Sequence, residues 1–342
     1  MLLLFFLKTF STTRVSVILS PQPLVQVMPM KFISRFLLIA LVMLALLLAP
    51  LACDNDDDDD NDDVATDDDF SLGYDPPDDD AADDDDYWHG DDNQIEPGTQ
   101  YPIVLMHGFF GWGAIGSLEY FNGVATDLEK RGYEVFTTVC SPINSMQVRA
   151  ECAAAQIQAE YPGQRVNIIS HSQGGLDARY IISTLGWGDR VAALVTVSTP
   201  HYGSAIADII VGIIPGFAEP IVDWLMNLFG TDWDGFVQLT HDYVENEFNP
   251  ANPDDPGVTY YSIQADAEEN RIFLLDLSHF LIKIFDGPND GIVPVESARY
   301  GIELETLSTD HWAIIGQPAG LTDFDYLGLY RDIALMLKED GF

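Results

Sequence analysis

From residue 101 onward, short apolar runs alternate with longer segments of mixed polarity. A continuous apolar run is typical of a strand that is buried on both faces of a parallel sheet, and the mixed segments have the pattern of helices. Strands that alternate with helices at this spacing predict an α/β fold with a mostly parallel sheet, whose ligands bind at the carboxyl ends of the strands. Strands are predicted at 101–106, 135–139, 166–170, 191–197 and 258–263, and helices at about 118–131, 147–161 and 174–185.

Residues 205–235 interrupt this alternation. They contain many apolar side chains and few charges, between glycines and prolines. One interpretation is a mobile helical lid that covers an apolar site and docks on lipid when it opens. The other is a pair of buried core helices. We favour the lid, because the segment is inserted between a sheet strand and the loops that follow it.

The first 53 residues have the pattern of an export signal. A short basic region at 30–35 precedes an apolar run at 36–51, which ends in Ala52-Cys53. This ending resembles a bacterial lipobox, so we predict that Cys53 is acylated and anchors the protein to a membrane of the cell envelope. Ordinary signal cleavage with secretion and an uncleaved anchor are the alternatives. A second start is present at Met28 or Met30, so residues 1–27 need not belong to the working protein.

Acidic residues dominate the composition. The formal net charge is −40, and residues 54–92 alone contain 21 Asp and no Lys or Arg. Such a tract cannot bury apolar surface and repels itself, so we expect a disordered, solvated linker over 54–93. Calcium binding by the Asp runs is the alternative. The folded domain then spans 94–342, and its own acidity argues against binding to nucleic acid.

The two cysteines of this domain, Cys140 and Cys152, leave their state open. An exported protein meets an oxidising compartment, where they can form a disulfide. Two free thiols are equally compatible with the sequence, because spacing alone does not show whether the side chains face each other.

The main chemical signal is the stretch Val-Asn-Ile-Ile-Ser-His-Ser-Gln-Gly-Gly at 166–175. A strand breaks there at a Ser-x-Ser-x-Gly turn and a helix follows, which is the arrangement of a nucleophile elbow. The turn lifts a serine off the strand at the N-terminus of the helix, where developing negative charge is favoured. Ser172 is therefore the predicted nucleophile, and a polar loop without chemistry is the alternative.

A catalytic triad on such an elbow runs in the order Ser, Asp or Glu, His. Asp290 lies in a tight turn at 287–291, and His311 is the only histidine that follows it. The imidazole would take the serine proton and return it to the leaving group, while the carboxylate fixes its tautomer. Ester hydrolysis also needs N–H donors for an oxyanion, and these are predicted at Gln173 and Phe109. His107, just before that loop, is predicted to be a structural hydrogen-bonding residue.

Together these segments resemble the bacterial true lipases of the Pseudomonas and Burkholderia type, within the α/β-hydrolase superfamily. The resemblance spans about 101–340. It rests on Tyr-Pro-Ile-Val-Leu-Met-His-Gly at 101, Val-Arg-Ala-Glu at 148, the elbow at 166, Thr-Pro-His-Tyr-Gly-Ser at 199, Tyr-Tyr-Ser at 260 and Asn-Asp-Gly-Ile-Val at 289. It implies an α/β-hydrolase fold with about six strands and an apolar lid. It also implies a triacylglycerol lipase that uses the triad and the oxyanion donors named above.

The resemblance further implies a structural calcium near the catalytic histidine, held by two Asp carboxylates and two backbone carbonyls. Asp276 matches the first carboxylate, and Gln317 and Leu321 stand where the carbonyls would be. Ala313 occupies the position of the second carboxylate, and calcium prefers several anionic oxygens. We therefore expect that no cofactor or metal is required. A dedicated folding partner, or foldase, is another implication of the resemblance.

Two other functions are compatible with the sequence. A carboxylesterase or phospholipase would use the same triad, and a surface binding protein on an inactive hydrolase scaffold would need only the acidic stalk and the anchor. Candidates for all three triad positions are present, in the required order. We therefore predict an exported serine hydrolase that acts on long-chain acylglycerols at an interface.

Overall fold

A sheet of six parallel strands is the centre of the described chain. The computed structural model describes residues 98–109, 114–115, 118–212, 234–317 and 323–342. The sheet consists of β1 (Ile103–Met106), β4 (Val135–Thr137), β5 (Val166–His171), β6 (Val191–Val197), β7 (Thr259–Ala265) and β8 (Ile302–Leu307). Their order across the sheet is β4-β1-β5-β6-β7-β8. A separate antiparallel pair joins β2 (Ala114–Ile115) to β3 (Leu118–Glu119). The predicted α/β fold is confirmed.

Helices cover both faces of this sheet. In chain order they are α1 (Val124–Lys130), α2 (Met146–Glu160), α3 (Gly174–Ser183), α4 (Ala205–Ile210), α5 (Asp234–Val237), α6 (His241–Tyr243), α7 (Asn249–Ala251), α8 (Asp276–Phe285), α9 (Val295–Ala298) and α10 (Tyr326–Glu339). A π-helical stretch, Val244–Phe248, joins α6 to α7. Among the described residues, no helix combines the length and the apolar character needed to cross a membrane.

Successive residues of a strand point to opposite faces of a sheet, and β1 shows this directly. Leu105 packs with Val124 of α1 in one core, whereas Val104 packs with Ile157 of α2 and Ile181 of α3 in the other. All five side chains are fully buried. Burial of a side chain of this size contributes roughly 1.5–3 kcal/mol. The two-sided core therefore holds the carboxyl ends of the central strands, and the loops that follow them, in fixed positions.

Most predicted elements are confirmed with ends shifted by at most two residues. The helix predicted at 118–131 is wrong in its first part. It begins only at Val124, because Gly123 has a left-handed backbone (φ 69°) and β3 already uses Leu118–Glu119. The sequence pattern also does not predict β8, α8 or α10. β8 alternates charged with apolar residues and lies at the edge of the sheet.

A disulfide joins Cys140 to Cys152, with the two Cα atoms 5.9 Å apart. Of the two alternatives that the sequence left open, the structure contains the cross-link. It connects the segment that follows β4 to α2, and so ties a loop at the carboxyl edge of the sheet to a flanking helix.

The connection from β6 to β7 contains the segment interpreted as a lid. Residues 213–233, which are most of that segment, lie outside the described residues. Several contacts join the residues before this gap to those after it, and two of them lie close to its ends. Ser204 N donates to Leu239 O (3.1 Å), and His241 Nδ1 lies 2.6 Å from an oxygen of Asp208. The entry and the exit of the segment are therefore held together.

Candidate active site

Ser172 lies at the tip of a sharp turn between β5 and α3. Its φ of 57° falls in the left-handed region, which a residue other than glycine adopts at a cost of about 1–3 kcal/mol. Three hydrogen bonds hold the turn: Ser172 N donates to Val197 O (3.0 Å), Gly175 N donates to Ser172 O (3.1 Å), and Thr199 Oγ1 donates to the same oxygen (2.8 Å). The strand, strained turn and helix of a nucleophile elbow are all present at the predicted position.

Two glycines allow neighbouring backbones to approach this turn. A Cβ on Gly108 would lie 2.5 Å from the Cβ of Ser172, and a Cβ on Gly174 would lie 2.5 Å from Met106 O. Atoms at these distances would overlap, so the residues must lack a side chain. The loop after β1 is thereby packed against the nucleophile turn.

The predicted acid and base, Asp290 and His311, form a buried pair. His311 Nδ1 lies 2.7 Å from Asp290 Oδ2, and the two side chains are 4% and 1% exposed. Asp290 Oδ1 accepts the N–H groups of Ile292 (2.9 Å) and Val293 (2.7 Å). Its carboxylate is therefore held by the backbone and turned toward the imidazole. This arrangement fixes the proton on Nδ1 and leaves Nε2 to accept another.

His171 places the His311 ring beside the nucleophile turn. The centroids of the two imidazoles lie 4.4 Å apart, and His171 directly precedes Ser172 in the chain. The Tyr120 hydroxyl lies 2.7 Å from His171 Nδ1. Burial holds the pKa of His171 well below its usual value, so this neighbour adds no positive charge near His311 at neutral pH. No hydrogen bond joins Ser172 to His311 among the described residues; such pairs often tighten only when a substrate is bound.

The two predicted oxyanion donors are Gln173, which follows Ser172 directly, and Phe109, which follows the glycine packed against Ser172. Gln173 is fully buried at the start of α3, and its N–H makes no hydrogen bond within the described ranges. Phe109 follows Gly108, whose amide donates to the Tyr120 hydroxyl (3.1 Å). The N-terminal end of α3 also carries a partial positive charge. The surroundings of the serine are therefore suited to a developing negative charge.

A buried ion pair connects the loop after β1 to α3. Arg149 Nε donates to Asp177 Oδ2 (2.8 Å), and both side chains are 2% exposed. The same guanidinium donates to His107 O (2.7 Å) and Ser141 O (2.5 Å). Burial raises the pKa of Asp177 to about 6, although the charge of Arg149 acts in the opposite direction. Because His107 begins the loop that leads to Phe109, Arg149 is a positioning residue for that loop.

The sequence assigns no role to Arg149, Asp177, Tyr120 or His171. Arg149 lies in the Val-Arg-Ala-Glu segment and His171 in the elbow itself, but neither segment shows which partner the side chain meets. Their roles depend on contacts between residues that are far apart in the chain, and the fold is needed to reveal them.

The structural role predicted for His107 is confirmed. Its Nε2 accepts a hydrogen bond from Cys140 N (3.0 Å), and its Nδ1 lies 2.9 Å from Gly108 O. Burial, followed by the charge of Arg149, lowers the pKa of His107 to about 4. The ring is therefore neutral and joins the loop after β1 to the disulfide-bonded segment.

The residues at the implied calcium position do not fit that ion. The Asp276 side chain is 59% exposed and accepts a hydrogen bond from Arg271 Nε (2.9 Å). Ala313 is buried and offers no carboxylate. Gln317, of which only the backbone carbonyl would be a ligand, donates from its side chain to Glu119 O (2.5 Å). One carboxylate already paired with arginine is a poor donor set for calcium. Leu321, and the predicted anchor at Cys53, lie outside the described residues.

Comparison with known proteins places this geometry among ester hydrolases. The model of the palmitoyl protein thioesterase family matches residues 102–284. A triacylglycerol lipase of Vibrio cholerae is 30% identical over 280 residues, which cover 71% of this chain and 89% of that protein. A triacylglycerol lipase of Pseudomonas fragi is 30% identical over 288 residues, which cover 71% and 98%.

The fold is also found among solved structures. The mature form of the Bacillus licheniformis lipase BlEst2 superposes with a TM-score of 0.57 at 24% sequence identity, over 72% of this chain and 95% of that one. The Staphylococcus hyicus lipase gives a TM-score of 0.56 at 18% identity, over 71% and 96%.

Proposed function

Because this chain belongs to the bacterial triacylglycerol lipases of the α/β-hydrolase superfamily, we propose that it hydrolyses long-chain acylglycerols through an acyl-enzyme on Ser172. Homology to lipases over most of the described chain makes it a carboxylic ester hydrolase. The observation that carries the mechanism is the buried Asp290–His311 pair beside the elbow serine.

The chemistry proceeds in two halves. His311 Nε2 accepts the proton of Ser172 as the serine oxygen attacks the ester carbonyl, and the imidazolium then gives this proton to the leaving alcohol. The N–H groups of Gln173 and Phe109 stabilise the oxyanion; one such donor typically contributes about 10²–10³ in kcat. Water then attacks the acyl-enzyme with His311 as the base, the bond from the acyl carbon to Ser172 breaks, and the imidazolium returns its proton to Ser172 as the fatty acid leaves. Asp290 holds the imidazole and stabilises its positive charge throughout.

Exposed apolar side chains near the site support a substrate that is presented at an interface. Phe280, Ile284 and Phe285 of α8 are 50%, 58% and 47% exposed, and Phe273, in the turn before α8, is 64% exposed. Residues four apart on a helix are neighbours on its surface, and α8 leads directly to the turn that holds Asp290. Exposed apolar surface of this kind is a property of proteins that bind a lipid surface. We assign this row to contact with the lipid phase, together with the lid predicted at 205–235.

Export and anchoring are part of the same proposal. The basic region, the apolar run and the Ala52-Cys53 ending support a lipoprotein held by Cys53 in a cell-envelope membrane, with residues 54–93 as the spacer. Cys53→Ala should move the protein from the membrane fraction to the soluble fraction and abolish labelling with radioactive palmitate. Continued labelling would place the acyl group elsewhere. The foldase is tested separately. The yield of active protein is compared when the chain is expressed alone and when it is expressed together with the genes next to its own.

The substrate is tested with the full chain on p-nitrophenyl esters of increasing acyl length and on an emulsion of trioleoylglycerol. Turnover should rise with chain length, should extend to the emulsion, and should disappear in Ser172→Ala. EGTA should leave the rate unchanged, since the proposed chemistry uses no calcium. Activity on short esters alone would indicate a carboxylesterase, and preference for phosphatidylcholine vesicles would indicate a phospholipase.

An acyl thioester is the second substrate class to examine, because the matching family model is that of the palmitoyl protein thioesterases. The same serine and oxyanion donors can act on a thioester carbonyl. If palmitoyl-CoA is cleaved with a higher kcat/KM than long-chain oxygen esters, the acylglycerol assignment is wrong and the thioesterase assignment takes its place. No turnover on any substrate would favour a binding protein.

The proposed lipid contact of α8 is tested by comparing substitutions on this helix with one at an equally exposed apolar side chain elsewhere. Phe280→Asp and Ile284→Asp should reduce the rate on the emulsion more than the rate on a soluble short ester. Ile302→Asp changes an equally exposed apolar side chain (52%) at the beginning of β8, away from the carboxyl edge of the sheet, and should affect neither. Equal losses on both substrates would exclude the docking role.

A further inference from the structure

We propose that Asp266, Glu268 and His279 form a binding site for a divalent metal ion of the zinc type, separate from the catalytic triad. Each side chain offers one ligand atom, and the three atoms lie within 4.8 Å of one another. Asp266 directly follows β7, Glu268 lies two residues further, and His279 is on α8. The site therefore joins the end of a sheet strand to the helix that precedes the catalytic turn.

The cluster contains buried polar atoms without a hydrogen-bond partner among the described residues. His279 is 3% exposed, and its Nε2 has no hydrogen-bond partner among the described residues; neither does the buried Oδ1 of Asp266. A buried polar atom without a partner normally costs about 1–3 kcal/mol, and native proteins rarely leave two of them together. A metal ion that accepts lone pairs from both atoms would satisfy them at once.

The donor set selects the class of ion. It combines one imidazole nitrogen with two carboxylates, and both ligand types bind zinc in proteins. Calcium prefers oxygen ligands only. None of these three residues belongs to the calcium set that Asp276, Gln317 and Leu321 would form.

One pair of ligand atoms in the cluster is already close to the spacing that zinc requires. Two ligands of a tetrahedral zinc ion lie about 3.4 Å apart, given bonds of about 2.0–2.1 Å. His279 Nε2 and Glu268 Oε2 are 3.8 Å apart, so this pair needs a shift of only a few tenths of an ångström. With three protein ligands, a fourth position is left for water.

Two basic side chains surround the site and act differently on it. Arg271 Nη1 donates to the carbonyl oxygens of Ala267 and Glu268 (both 2.8 Å), which fixes the turn that presents the carboxylates. Lys283 makes an ion pair with the Glu268 oxygen that faces His279. Because Lys283 is half-exposed, its flexible side chain can turn into solvent. Lys283 therefore competes with the metal ion for Glu268.

The metal would stabilise the catalytic turn indirectly. Asn289 Nδ2 donates to His279 O (3.1 Å), and Ala267 N donates to Asn289 O (2.9 Å). Asn289 is the neighbour of Asp290. Asn289 thus connects the segment after β7 to α8. An ion bound by both Asp266 and His279 would link the same two segments and so stabilise the position of Asn289.

The test measures binding of ZnCl₂ to the full chain by calorimetry and the midpoint of thermal unfolding with and without the metal. The wild type should bind one zinc ion more tightly than the diffuse background of the Asp tract, and its unfolding midpoint should rise. His279→Gln and Glu268→Gln should each weaken this binding at least about tenfold. CaCl₂ at the same concentration should give no difference between these variants and the wild type.

Two controls separate the site from general effects. Asp276→Asn removes a neighbouring carboxylate outside the cluster and should leave zinc affinity unchanged, whereas Lys283→Gln should increase it. If His279→Gln does not fold, the exposed Glu268 provides the decisive variant. Equal zinc affinity in the wild type and Glu268→Gln, or a calcium effect that matches the zinc effect, would overturn the proposal.

Discussion

Replacement of Arg149 by methionine should destabilise the fold strongly, because its guanidinium is the only partner that the described residues offer to the buried Asp177 carboxylate. Asp177 Oδ1 has no hydrogen bond among the described residues, so the variant would leave both oxygens of Asp177 unpaired. Removal of one partner from a buried ion pair costs about 3–5 kcal/mol. The carbonyl oxygen of His107 would also lose a donor, which adds about 1–3 kcal/mol. A domain is stabilised by only about 5–15 kcal/mol, so Arg149→Met should be marginally folded.

The pH dependence of this loss has a defined sign. The pKa of Asp177 is about 6 in the folded protein, above its ordinary value of 3.8. An acid whose pKa is raised by folding costs stability as the pH rises from the unfolded to the folded pKa. The charge of Arg149 lowers this pKa. Without Arg149, the pKa of Asp177 in the folded protein is higher, so stability continues to fall up to a higher pH. The difference in unfolding free energy between Arg149→Met and the wild type should therefore be larger at pH 8 than at pH 5.

The assay is urea unfolding followed by tryptophan fluorescence at the two pH values, with the double variant Arg149→Met/Asp177→Leu as the control. The double variant should recover part of the lost stability, because it removes the unpaired charge together with its partner. Its kcat should stay below that of the wild type, because the loop from His107 to Phe109 still lacks its support. A loss below about 1 kcal/mol in Arg149→Met, or an equal loss at both pH values, would refute the reasoning.

Three further outcomes are expected. Ser172→Gly should be inactive yet about 1 kcal/mol more stable than the wild type, because the left-handed backbone is relaxed; a lower unfolding midpoint would contradict the strained turn. Asp290→Asn should lower kcat by about 10³–10⁴ with little change in KM, and a loss below tenfold in steady-state kinetics would remove it from the triad. Reduction of the Cys140–Cys152 disulfide, which closes a loop with a sequence separation of 12, should lower the unfolding free energy by about 3 kcal/mol. Unchanged denaturation curves with and without reductant would exclude this contribution.

Sequence patterns predict the elements that are buried on both faces and miss those at the edge. β6 is predicted to the residue, because all of its side chains are buried and nearly all are apolar. β8 has no such run, since Ile302 and Leu304 face solvent between glutamates. The pairing of Asp290 with His311 can be predicted because chain order leaves a single histidine after Asp290.

The supporting contacts of the site cannot be derived in this way. Arg149 and Asp177 are 28 residues apart on two different helices, and no periodic pattern connects them. The state of Cys140 and Cys152 depends on the distance between their Cα atoms, which the spacing in the sequence does not fix. Only the packing of α2 and α3 on the sheet decides these contacts.

The contacts that hold the two ends of the β6–β7 connection together affect how its length can change in evolution. Hydrogen bonds join Ser204 to Leu239 and Asp208 to His241. These contacts offset the entropic cost of closing the loop between them. Loop length then changes closure entropy only slowly, by about 0.6 kcal/mol for each doubling. A change in the length of the enclosed segment should therefore cost the fold little. Insertions or deletions should be accepted there as long as Phe236, which packs on Phe109, and Gln238, which accepts a hydrogen bond from Met146 N, are kept.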